Sequence, residues 1–261
     1  MALIQLKQAR LEVRHIASNE PQSNKSPLVF LHEGLGSVAM WQSREGDWPE
    51  QVCAATGRAG WVYSRPGYGQ SDPIDDVRGK GRHTPDYMHQ HANDTLPELL
   101  QNLGVTRPVL VGHSDGGTIA LIHAATHDVS ACVVMAPHVM VEDVSIQAIE
   151  AAREAYLHGP LRERLTRFHQ DVDNAFWQWN DVWLSEAFRS FDIRALCQRI
   201  TCPVLALQGV NDPYGSMQQI EDIAPAGPIQ RVALADCGHS PHRDQPAQTL
   251  HALREFLAQV P

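Results

Sequence analysis

Short apolar runs recur along the chain and are separated by longer polar or amphipathic stretches. The runs have the length of strands, and most of them are of the kind that is buried on both faces of a sheet. They are residues 27–31, 60–64, 107–112, 131–136, 202–207 and 230–234. Near the N-terminus, apolar and polar residues alternate over residues 3–16, which predicts an antiparallel hairpin at one edge of the sheet.

Helix-like spacing of apolar residues fills the intervals between most of these strands. The predicted helices cover part of residues 41–56, residues 85–103, a segment just after Ser114, and residues 245–259. Strands that alternate with helices predict a mostly parallel sheet with right-handed crossovers and helices on both faces. With the hairpin the sheet has eight strands, so the predicted fold class is α/β. Residues 19–27 are predicted to form a polar loop.

One interval between strands is much longer than a single crossover helix requires. This interval, residues 139–200, is rich in helix-forming and aromatic residues. The simplest interpretation is a helical cap, inserted over the C-terminal edge of the sheet into a core of residues 1–138 and 201–261. Most of its aromatic side chains are expected to pack internally, and the candidates for substrate contact are Trp177, Trp179 and Trp183.

The composition narrows the choice of partner and compartment. Lys and Arg total 21 against 30 Asp and Glu, a formal net charge of -9, so neither nucleic acid nor an anionic membrane is an expected partner. Charge interrupts the first residues too early for a signal sequence, and no apolar run approaches the length of a membrane span. We therefore expect a cytoplasmic protein that acts on a small molecule, and the sequence does not indicate its oligomeric state.

The cysteines and histidines give no sign of a metal centre. The five cysteines are odd in number and lack C-x-x-C spacing, which favours small buried side chains over a disulfide framework or a zinc site. The 14 histidines include His83, His89 and His91 close together, but no further set with metal-ligand spacing accompanies them. No metal site is predicted.

The chemistry is concentrated at residues 112–116, Gly-His-Ser-Asp-Gly, which match the G-x-S-x-G pattern. An apolar strand ends at Gly112 and helix-like spacing begins a few residues later, so Ser114 is predicted to lie on a sharp strand-to-helix turn. Glycine suits positions 112 and 116 because Cβ atoms there would crowd the neighbouring strand and helix. The turn would expose the Ser114 hydroxyl and leave the amide of Asp115 at a helix N-terminus, where it can stabilise a developing negative charge.

A reactive serine needs partners elsewhere in the chain. Its hydroxyl needs a base, and an imidazole that serves as the base needs a carboxylate to fix its tautomer. Asp212 and His239 each follow one of the last two predicted strands. Asp236 competes with Asp212, and His242 competes with His239. Asp236 is so close to His239 in sequence that its carboxylate would reach the ring poorly, which favours Asp212.

Five segments in this order resemble the α/β-hydrolase superfamily, and the resemblance covers essentially the whole chain. The segments are His32-Glu33-Gly34-Leu35-Gly36-Ser37, Arg65-Pro66-Gly67-Tyr68-Gly69-Gln70-Ser71, residues 112–116, Asp212 and Gly238-His239. By this resemblance Ser114 is the nucleophile. His239, which directly follows a glycine as in the family, is the general base and acid, and Asp212 orients it. The amides of Gly34 and Asp115 would form the oxyanion hole.

The resemblance implies an esterase-like serine hydrolase that works without a cofactor. An acyl-enzyme would form on Ser114 from a small carboxylic ester, or from a thioester or lactone. The alternatives are a hydrolase of the same fold that cleaves C–C bonds and a member that binds a ligand without turning it over. Serine at this position speaks against the epoxide hydrolases and haloalkane dehalogenases of the fold, which carry aspartate there.

Three further side chains have two interpretations each. Glu33 stands where the family usually has a small residue. It either turns away and bonds to loop backbone or to Arg65, or faces the pocket and influences the nucleophile or the substrate. The Asp115 side chain either interacts with its helix dipole or faces the cavity, where it would favour a cationic substrate. His138, at the end of the strand at 131–136, either lines the pocket or is an ordinary loop residue.

Overall fold

In a computed structural model of the protein, residues 1–20 and 24–261 are described. Of the predicted polar loop at 19–27, residues 21–23 lie outside the described residues, and the others belong to no helix or strand. The strands are, in chain order, β1 (Ala2–Gln5), β2 (Arg10–Ile16), β3 (Leu28–Leu31), β4 (Gln42–Ser43), β5 (Gly46–Asp47), β6 (Gly60–Tyr63), β7 (Val109–His113), β8 (Ala131–Met135), β9 (Val204–Gly209) and β10 (Ile229–Leu234).

The predicted eight-stranded, mostly parallel sheet is confirmed. Its strand order is β1-β2-β6-β3-β7-β8-β9-β10, and the short β4 and β5 pair separately. β2 runs antiparallel to β1 and β6, whereas the other neighbours are parallel. Because parallel strands point their carboxyl ends to the same edge, the loops after β3, β7, β8, β9 and β10 meet there. Those loops carry most of the candidate site residues.

Helices occupy the crossovers and the long interval between β8 and β9. They are α1 (Trp48–Thr56), α2 (Tyr87–Gln90), α3 (Leu96–Leu103), α4 (Asp115–Ala124), α5 (Asp143–Leu157), α6 (Leu161–Leu165), α7 (Val172–Trp183), α8 (Arg194–Cys197), α9 (Gln218–Glu221), α10 (Pro241–Asp244) and α11 (Pro246–Leu257). A π-helix (His91–Thr95) joins α2 to α3, and 3₁₀ helices occupy Val38–Trp41 and Glu186–Ser190. Within residues 1–20 and 24–261, no helix is long and apolar enough to cross a membrane.

The helix predicted within residues 41–56 is shorter than that interval. The β4–β5 hairpin takes up its first part, and α1 begins only after Asp47. The Asp47 carboxylate accepts a hydrogen bond from the amide of Glu50 at 3.0 Å, and Pro49 occupies the first turn. This capping fixes where the helix starts.

The helix predicted over residues 85–103 is interrupted by the π-helix. Pro97 cannot donate a hydrogen bond, and its ring crowds the carbonyl four residues earlier. The preceding turn is wider, and the amide of Leu96 bonds to the carbonyl of His91.

Alternation along the central strands divides the interior into two cores. In β3, Val29 and Leu31 face one core, whereas Leu28 and Phe30 face the other, and all four are at most 1% exposed. The first core is covered by α3, α4 and α7, and the second by α1 and α11. Each fully buried side chain of this size stabilises the fold by about 1.5–3 kcal/mol relative to exposure. The predicted placement of helices on both faces is therefore confirmed.

Residues 139–200, called the helical insertion below, contain α5, α6, α7 and α8. α7 begins at a cap in which the Asp171 carboxylate accepts from the amide of Asn174 at 3.0 Å. Its apolar face, which includes Phe176, Trp179 and Trp183, is buried in the first core. The helical insertion thus packs on the sheet face that also holds α4, and its separation from the core as a cap domain stays a prediction.

Burial keeps several histidines neutral, which predicts a pH-dependent stability. Burial lowers the pKa of His83 and His123 to about 4 and that of His138 to about 3, from an ordinary value of about 6.5. Below about pH 6.5 the unfolded chain binds protons at these histidines and the folded chain does not. The stability that is present above about pH 6.5 is therefore lost as the pH falls towards about 4. Each such histidine contributes about 1.4 kcal/mol per pH unit in this window.

We expect the free energy of unfolding, measured by urea titration at about pH 7.5, 6.5 and 5.5, to fall steeply between the last two values. His123→Gln should flatten this slope, because it removes one of the buried rings. The matched control is His15→Gln, since His15 is exposed. Equal free energies of unfolding at the highest and lowest pH would contradict the prediction.

Candidate active site

Ser114 lies in the turn between β7 and α4 and has a strained backbone, with φ 52° and ψ -121°. Its amide donates to the carbonyl of Met135 on β8 at 2.9 Å, which fixes the turn against the sheet. A Cβ at Gly112 would lie 2.3 Å from the carbonyl oxygen of Gly116, and a Cβ at Gly116 would lie 2.2 Å from that of Leu31. Backbone contacts therefore require both glycines, for the steric reason predicted from the sequence.

The loops after β9 and β10 bring two side chains to this turn. Nε2 of His239 lies 2.9 Å from Oγ of Ser114. Nδ1 of the same ring lies 2.8 Å from Oδ2 and 3.0 Å from Oδ1 of Asp212. When Nδ1–H is donated to the carboxylate, Nε2 carries a lone pair and can accept the hydroxyl proton. The arrangement can therefore activate Ser114 as a nucleophile.

The carboxylate of Asp212 is held by further donors. The amide of Tyr214 donates to Oδ1 and the side-chain amide of Gln208 donates to Oδ2, both at 2.8 Å. Burial alone would raise the pKa of Asp212, but its bonds with His239 and Tyr214 bring that pKa below its usual value. An ionised Asp212 can stabilise a positive charge on the imidazole.

The two alternative partners lie elsewhere. Asp236 is exposed, with φ 50°, and no hydrogen bond joins its carboxylate to His239 in the described part of the chain. His242 is buried with its ring centroid 4.9 Å from that of His113, and burial lowers its pKa well below the usual value. Among described residues, neither side chain bonds to Ser114, so both remain outside the hydrogen-bonded set.

A cavity of about 210 Å³ opens beside Ser114. Four of the five side chains predicted to contact substrate line it: Glu33, His138, Trp179 and Trp183. Within the described chain, its wall contains no lysine or arginine. The wall therefore combines aromatic and aliphatic side chains with several polar ones, among them Glu33, His113 and His138.

Trp177, the fifth predicted contact, does not line the described cavity, and its contact with substrate stays a prediction. The guanidinium of Arg78 lies 3.8 Å from the centroid of its ring in a cation–π contact. A helix turns by about 100° per residue. Trp179 and Trp183, four residues apart, therefore share a face of α7 that Trp177 does not share.

His138 lies in the cavity wall, as one of its two interpretations proposed. Its backbone amide and carbonyl both bond to the hydroxyl of Thr118, at 2.9 and 2.8 Å. The ring centroid is 4.9 Å from that of Trp183 and 5.7 Å from that of His239. Because burial lowers its pKa to about 3, His138 contributes a neutral surface to the cavity.

The loop after β3 places Gly34 against the indole of Trp179. A Cβ on Gly34 would lie 2.2 Å from Nε1 of that indole, so the contact requires glycine. The amide of Gly34 has no acceptor among the residues that the structure describes. Asp115 is the first residue of α4, where helix amides lack an intrahelical acceptor. Both amides can therefore bond to a ligand oxygen, and their role as an oxyanion hole stays a prediction.

The side chain of Asp115 belongs to a buried network and is only 1% exposed. The Tyr87 hydroxyl donates to Oδ2 at 2.7 Å, and Nε1 of Trp183 donates to that hydroxyl at 3.0 Å. The guanidinium of Arg65 lies 3.7 Å from the same carboxylate oxygen. Burial raises the pKa of Asp115, although Arg65 and Tyr87 oppose the shift. The chain of bonds from Trp183 to Asp115 joins the helical insertion to the start of α4 and engages Oδ2, whereas Oδ1 has no hydrogen-bond partner among the described residues.

Glu33 combines parts of both interpretations. Its carbonyl accepts from the guanidinium of Arg65 at 3.1 Å, whereas its side chain borders the cavity and places Oε2 3.5 Å from Nδ1 of His113. Burial alone would raise the pKa of Glu33, but His113, Arg243 and His32 lower it well below its usual value. The cavity therefore has an ionised carboxylate at its edge.

A sequence model described as the alpha/beta hydrolase family matches residues 28–252. The chain belongs to the alpha/beta hydrolase family. The match includes Ser114, His239 and Asp212, which are linked by hydrogen bonds in that order. The protein is accordingly a hydrolase of the alpha/beta fold. Its mostly parallel, eight-stranded sheet with helices on both faces agrees with this family.

This alpha/beta hydrolase is similar to proteins from several bacteria. The protein named "Putative carbamate hydrolase RutD" of Pseudomonas savastanoi pv. phaseolicola is 24% identical over 270 residues, which cover 90% of this chain and 95% of that one. The enol-lactonase from Burkholderia xenovorans LB400 has a TM-score of 0.69 at 19% identity, over 97% and 98% of the two chains. A thermophilic esterase from Thermogutta terrifontis has a TM-score of 0.70 at 22% identity, over 96% and 94%. The two structures support the fold.

Several residues around the site of this alpha/beta hydrolase were missed by sequence reasoning. His113 had a usable signal, because side chains alternate along a strand and it shares a face of β7 with the buried Val111. Tyr87, Gln208 and Tyr214 come from other elements, and their contacts depend on how those elements pack. No pattern along the chain identifies them.

Proposed function

We propose that this hydrolase cleaves small carboxylic esters through an acyl-enzyme on Ser114. The observation that carries the proposal is the 2.9 Å contact between Oγ of Ser114 and Nε2 of His239 at the cavity wall, with Asp212 bound to the other nitrogen. This is the geometry in which a neutral imidazole takes the serine proton and a carboxylate stabilises the resulting imidazolium.

The first half of the reaction forms the acyl-enzyme. His239 removes the proton of Ser114 as Oγ attacks the ester carbonyl, which gives a tetrahedral intermediate with a negative oxygen. The amides of Gly34 and Asp115 are proposed to bond that oxygen, each lowering the barrier by about 3 kcal/mol. The intermediate collapses, the C–O bond breaks, and His239 donates its proton to the departing alcohol.

The second half repeats these steps with water. His239 removes a proton from a water molecule, whose oxygen attacks the acyl carbonyl. The new tetrahedral intermediate expels Oγ of Ser114, which takes the proton back from His239. The products are a carboxylic acid and the free enzyme.

The cavity favours a small, uncharged acyl group. Its volume of about 210 Å³ is small for a ligand site. Trp179 and Trp183 supply an aromatic wall, and we propose that the helical insertion acts as a cap that limits the length of the substrate. The described wall contains no lysine or arginine that could pair with a substrate carboxylate. This argues against C–C cleavage of an anionic dienoate and in favour of neutral esters.

A fluorophosphonate probe tests the proposal directly, because it reacts only with an activated serine. We expect one probe per chain on the folded protein, attached to Ser114 in the peptide map and lost in His239→Gln. The matched control is His242→Gln, the alternative base, which should label normally. A folded sample that does not react with the probe would support a ligand-binding protein instead.

A substrate series then identifies the bond that is cleaved. We expect p-nitrophenyl esters of two to six carbons to have the highest kcat/KM, falling for longer chains as the cavity fills. A thioester, a lactone and a carbamate of matched size complete the series, the carbamate because the relative quoted above is named for carbamate hydrolysis. Preference for the carbamate over the matched ester would overturn the choice of esters.

A further inference from the structure

We propose that Glu33 and His113 hold one proton between them as a carboxylate–imidazolium pair that positions His239. The inference rests on the proposed function, because the pair acts through the residue that serves there as the base. Glu33 and His113 are positioning residues in this account. Neither is required to exchange a proton with the substrate.

Nε2 of His113 faces a backbone acceptor. It lies 2.7 Å from the backbone carbonyl oxygen of His239. A carbonyl oxygen can only accept, so Nε2 must carry a hydrogen and donate it. This bond holds the backbone at His239, while the side chain of His239 reaches Ser114 and Asp212.

Nδ1 of the same ring faces the side chain of Glu33. Its neighbour is Oε2 of Glu33 at 3.5 Å, and the structure describes no hydrogen-bond partner for it elsewhere in residues 1–20 and 24–261. Since Nε2 already has a hydrogen, a neutral ring would direct the Nδ1 lone pair at a carboxylate oxygen, and two acceptors would face each other in a site where His113 is 1% exposed. A proton on Nδ1 removes that conflict and gives Glu33 a cationic partner.

Other charged or titratable groups surround the pair on several elements. Facing Glu33 are Arg243, His32, Tyr68, His169 and His242, and facing His113 are His239, His242 and His138. Burial lowers the pKa of His32, His138 and His242, so these rings stay neutral near pH 7. Arg243 forms no ion pair with Glu33 within 4 Å among the described residues, and its guanidinium bonds to the carbonyl of Met40. His113 is therefore the close partner of the carboxylate.

The pair has an electrostatic consequence for the site. The ring of His113 lies 5.2 Å, centroid to centroid, from that of His239. A lone carboxylate at Glu33 would oppose negative charge forming on a substrate and would stabilise the protonated form of His239. With the proton on His113 the pair has no net charge, so the glutamate is compatible with oxyanion chemistry.

The charge state can be measured without any substrate. In protein labelled with 15N-histidine, with His113 assigned through bonds from its backbone, both ring nitrogens should be protonated near pH 7. In Glu33→Gln the amide can donate to Nδ1, so the ring should keep only its Nε2 proton. A bare Nδ1 in the wild-type ring would overturn this inference and leave the proposed function standing, whereas failure to label Ser114 would overturn the proposed function and the positioning role but not the measured charge state of the pair.

Kinetics on an ester test the positioning role. His113→Gln keeps a donor for the His239 carbonyl but leaves Glu33 unpaired, so we expect kcat to fall about tenfold to a hundredfold. The acid limb of kcat/KM should move to higher pH, because the unpaired charge favours protonated His239. Glu33→Gln should lower kcat by a smaller factor than His113→Gln. The double variant should recover most of the loss and return the acid limb, because it contains no lone charge.

A purely structural role predicts the opposite pattern, in which the double variant is at least as impaired as His113→Gln and the acid limb does not move. That pattern would overturn the inference. The control is His158→Gln, because His158 is exposed on the protein surface and should leave kcat and the pH profile unchanged. If His113→Gln does not fold, the ring-nitrogen measurement on the wild type and Glu33→Gln still decides the question.

Discussion

Replacing Ser114 with alanine is expected to lower kcat for a short-chain ester by about 10⁶-fold, because no other group in the proposed mechanism can form the acyl-enzyme. Two amides beside the cavity and the binding surface remain in the variant. A residual acceleration of about 10³-fold over the uncatalysed reaction should therefore persist. The measurement is a steady-state assay with p-nitrophenyl esters, supported by mass spectrometry that finds the acyl adduct only in the wild type.

The variant should keep its stability. Ser114 has a positive φ, which strains serine and alanine to a similar degree, so the free energy of unfolding is expected to change by less than about 1 kcal/mol. Ser190→Ala serves as the control, because Ser190 is exposed and away from the cavity. A Ser114→Ala enzyme that retains a tenth of wild-type kcat would show that another nucleophile operates.

The second large effect is expected for Asp212→Asn, with a loss of about 10⁴-fold in kcat. The amide of Tyr214 fixes an acceptor at the Oδ1 position, so the new NH₂ group takes the Oδ2 position that faces Nδ1 of His239. Oε1 of Gln208 has no described partner in the wild type and can turn to accept from this NH₂. An amide donor opposite Nδ1 selects the wrong tautomer, in which Nε2–H points at Ser114 and cannot accept its proton.

The pH dependence separates this explanation from simple loss of structure. With the imidazole disabled, turnover of Asp212→Asn should rise with hydroxide concentration above neutral pH. Asp236→Asn provides the matched control, since Asp236 also lies near His239 in sequence but is exposed. Wild-type activity in Asp212→Asn, or a similar loss in Asp236→Asn, would refute the assignment of the carboxylate.

The sheet could be predicted from the sequence because most positions in each central strand are apolar. Such a strand is buried on both faces, and β3 shows why: Leu28 and Phe30 fill one core while Val29 and Leu31 fill the other. The boundaries of the helices could be predicted less accurately from the local sequence than the positions of the strands. The start of α1 depends on a cap at Asp47, and the irregular turn before α3 depends on Pro97.

The nucleophile turn could be predicted because its constraints are local. Gly112 is required by the backbone of the turn itself and Gly116 by the backbone of the neighbouring strand β3, and the loops that hold Asp212 and His239 follow strands of the same sheet. The surroundings of the site could not be predicted, because they depend on packing between distant elements. His113 meets Glu33 only because β3 and β7 are neighbours.

The hydrogen-bonded chain from Trp183 through Tyr87 to Asp115 limits how such enzymes can be recombined. A segment equivalent to residues 139–200, taken from a relative, that lacks a donor at the place of Trp183 would leave the Tyr87 hydroxyl without its hydrogen-bond donor. The Asp115 carboxylate beside the nucleophile would be disturbed in turn. A chimaera that exchanges the inserted segment should therefore exchange Tyr87 and Asp115 with it.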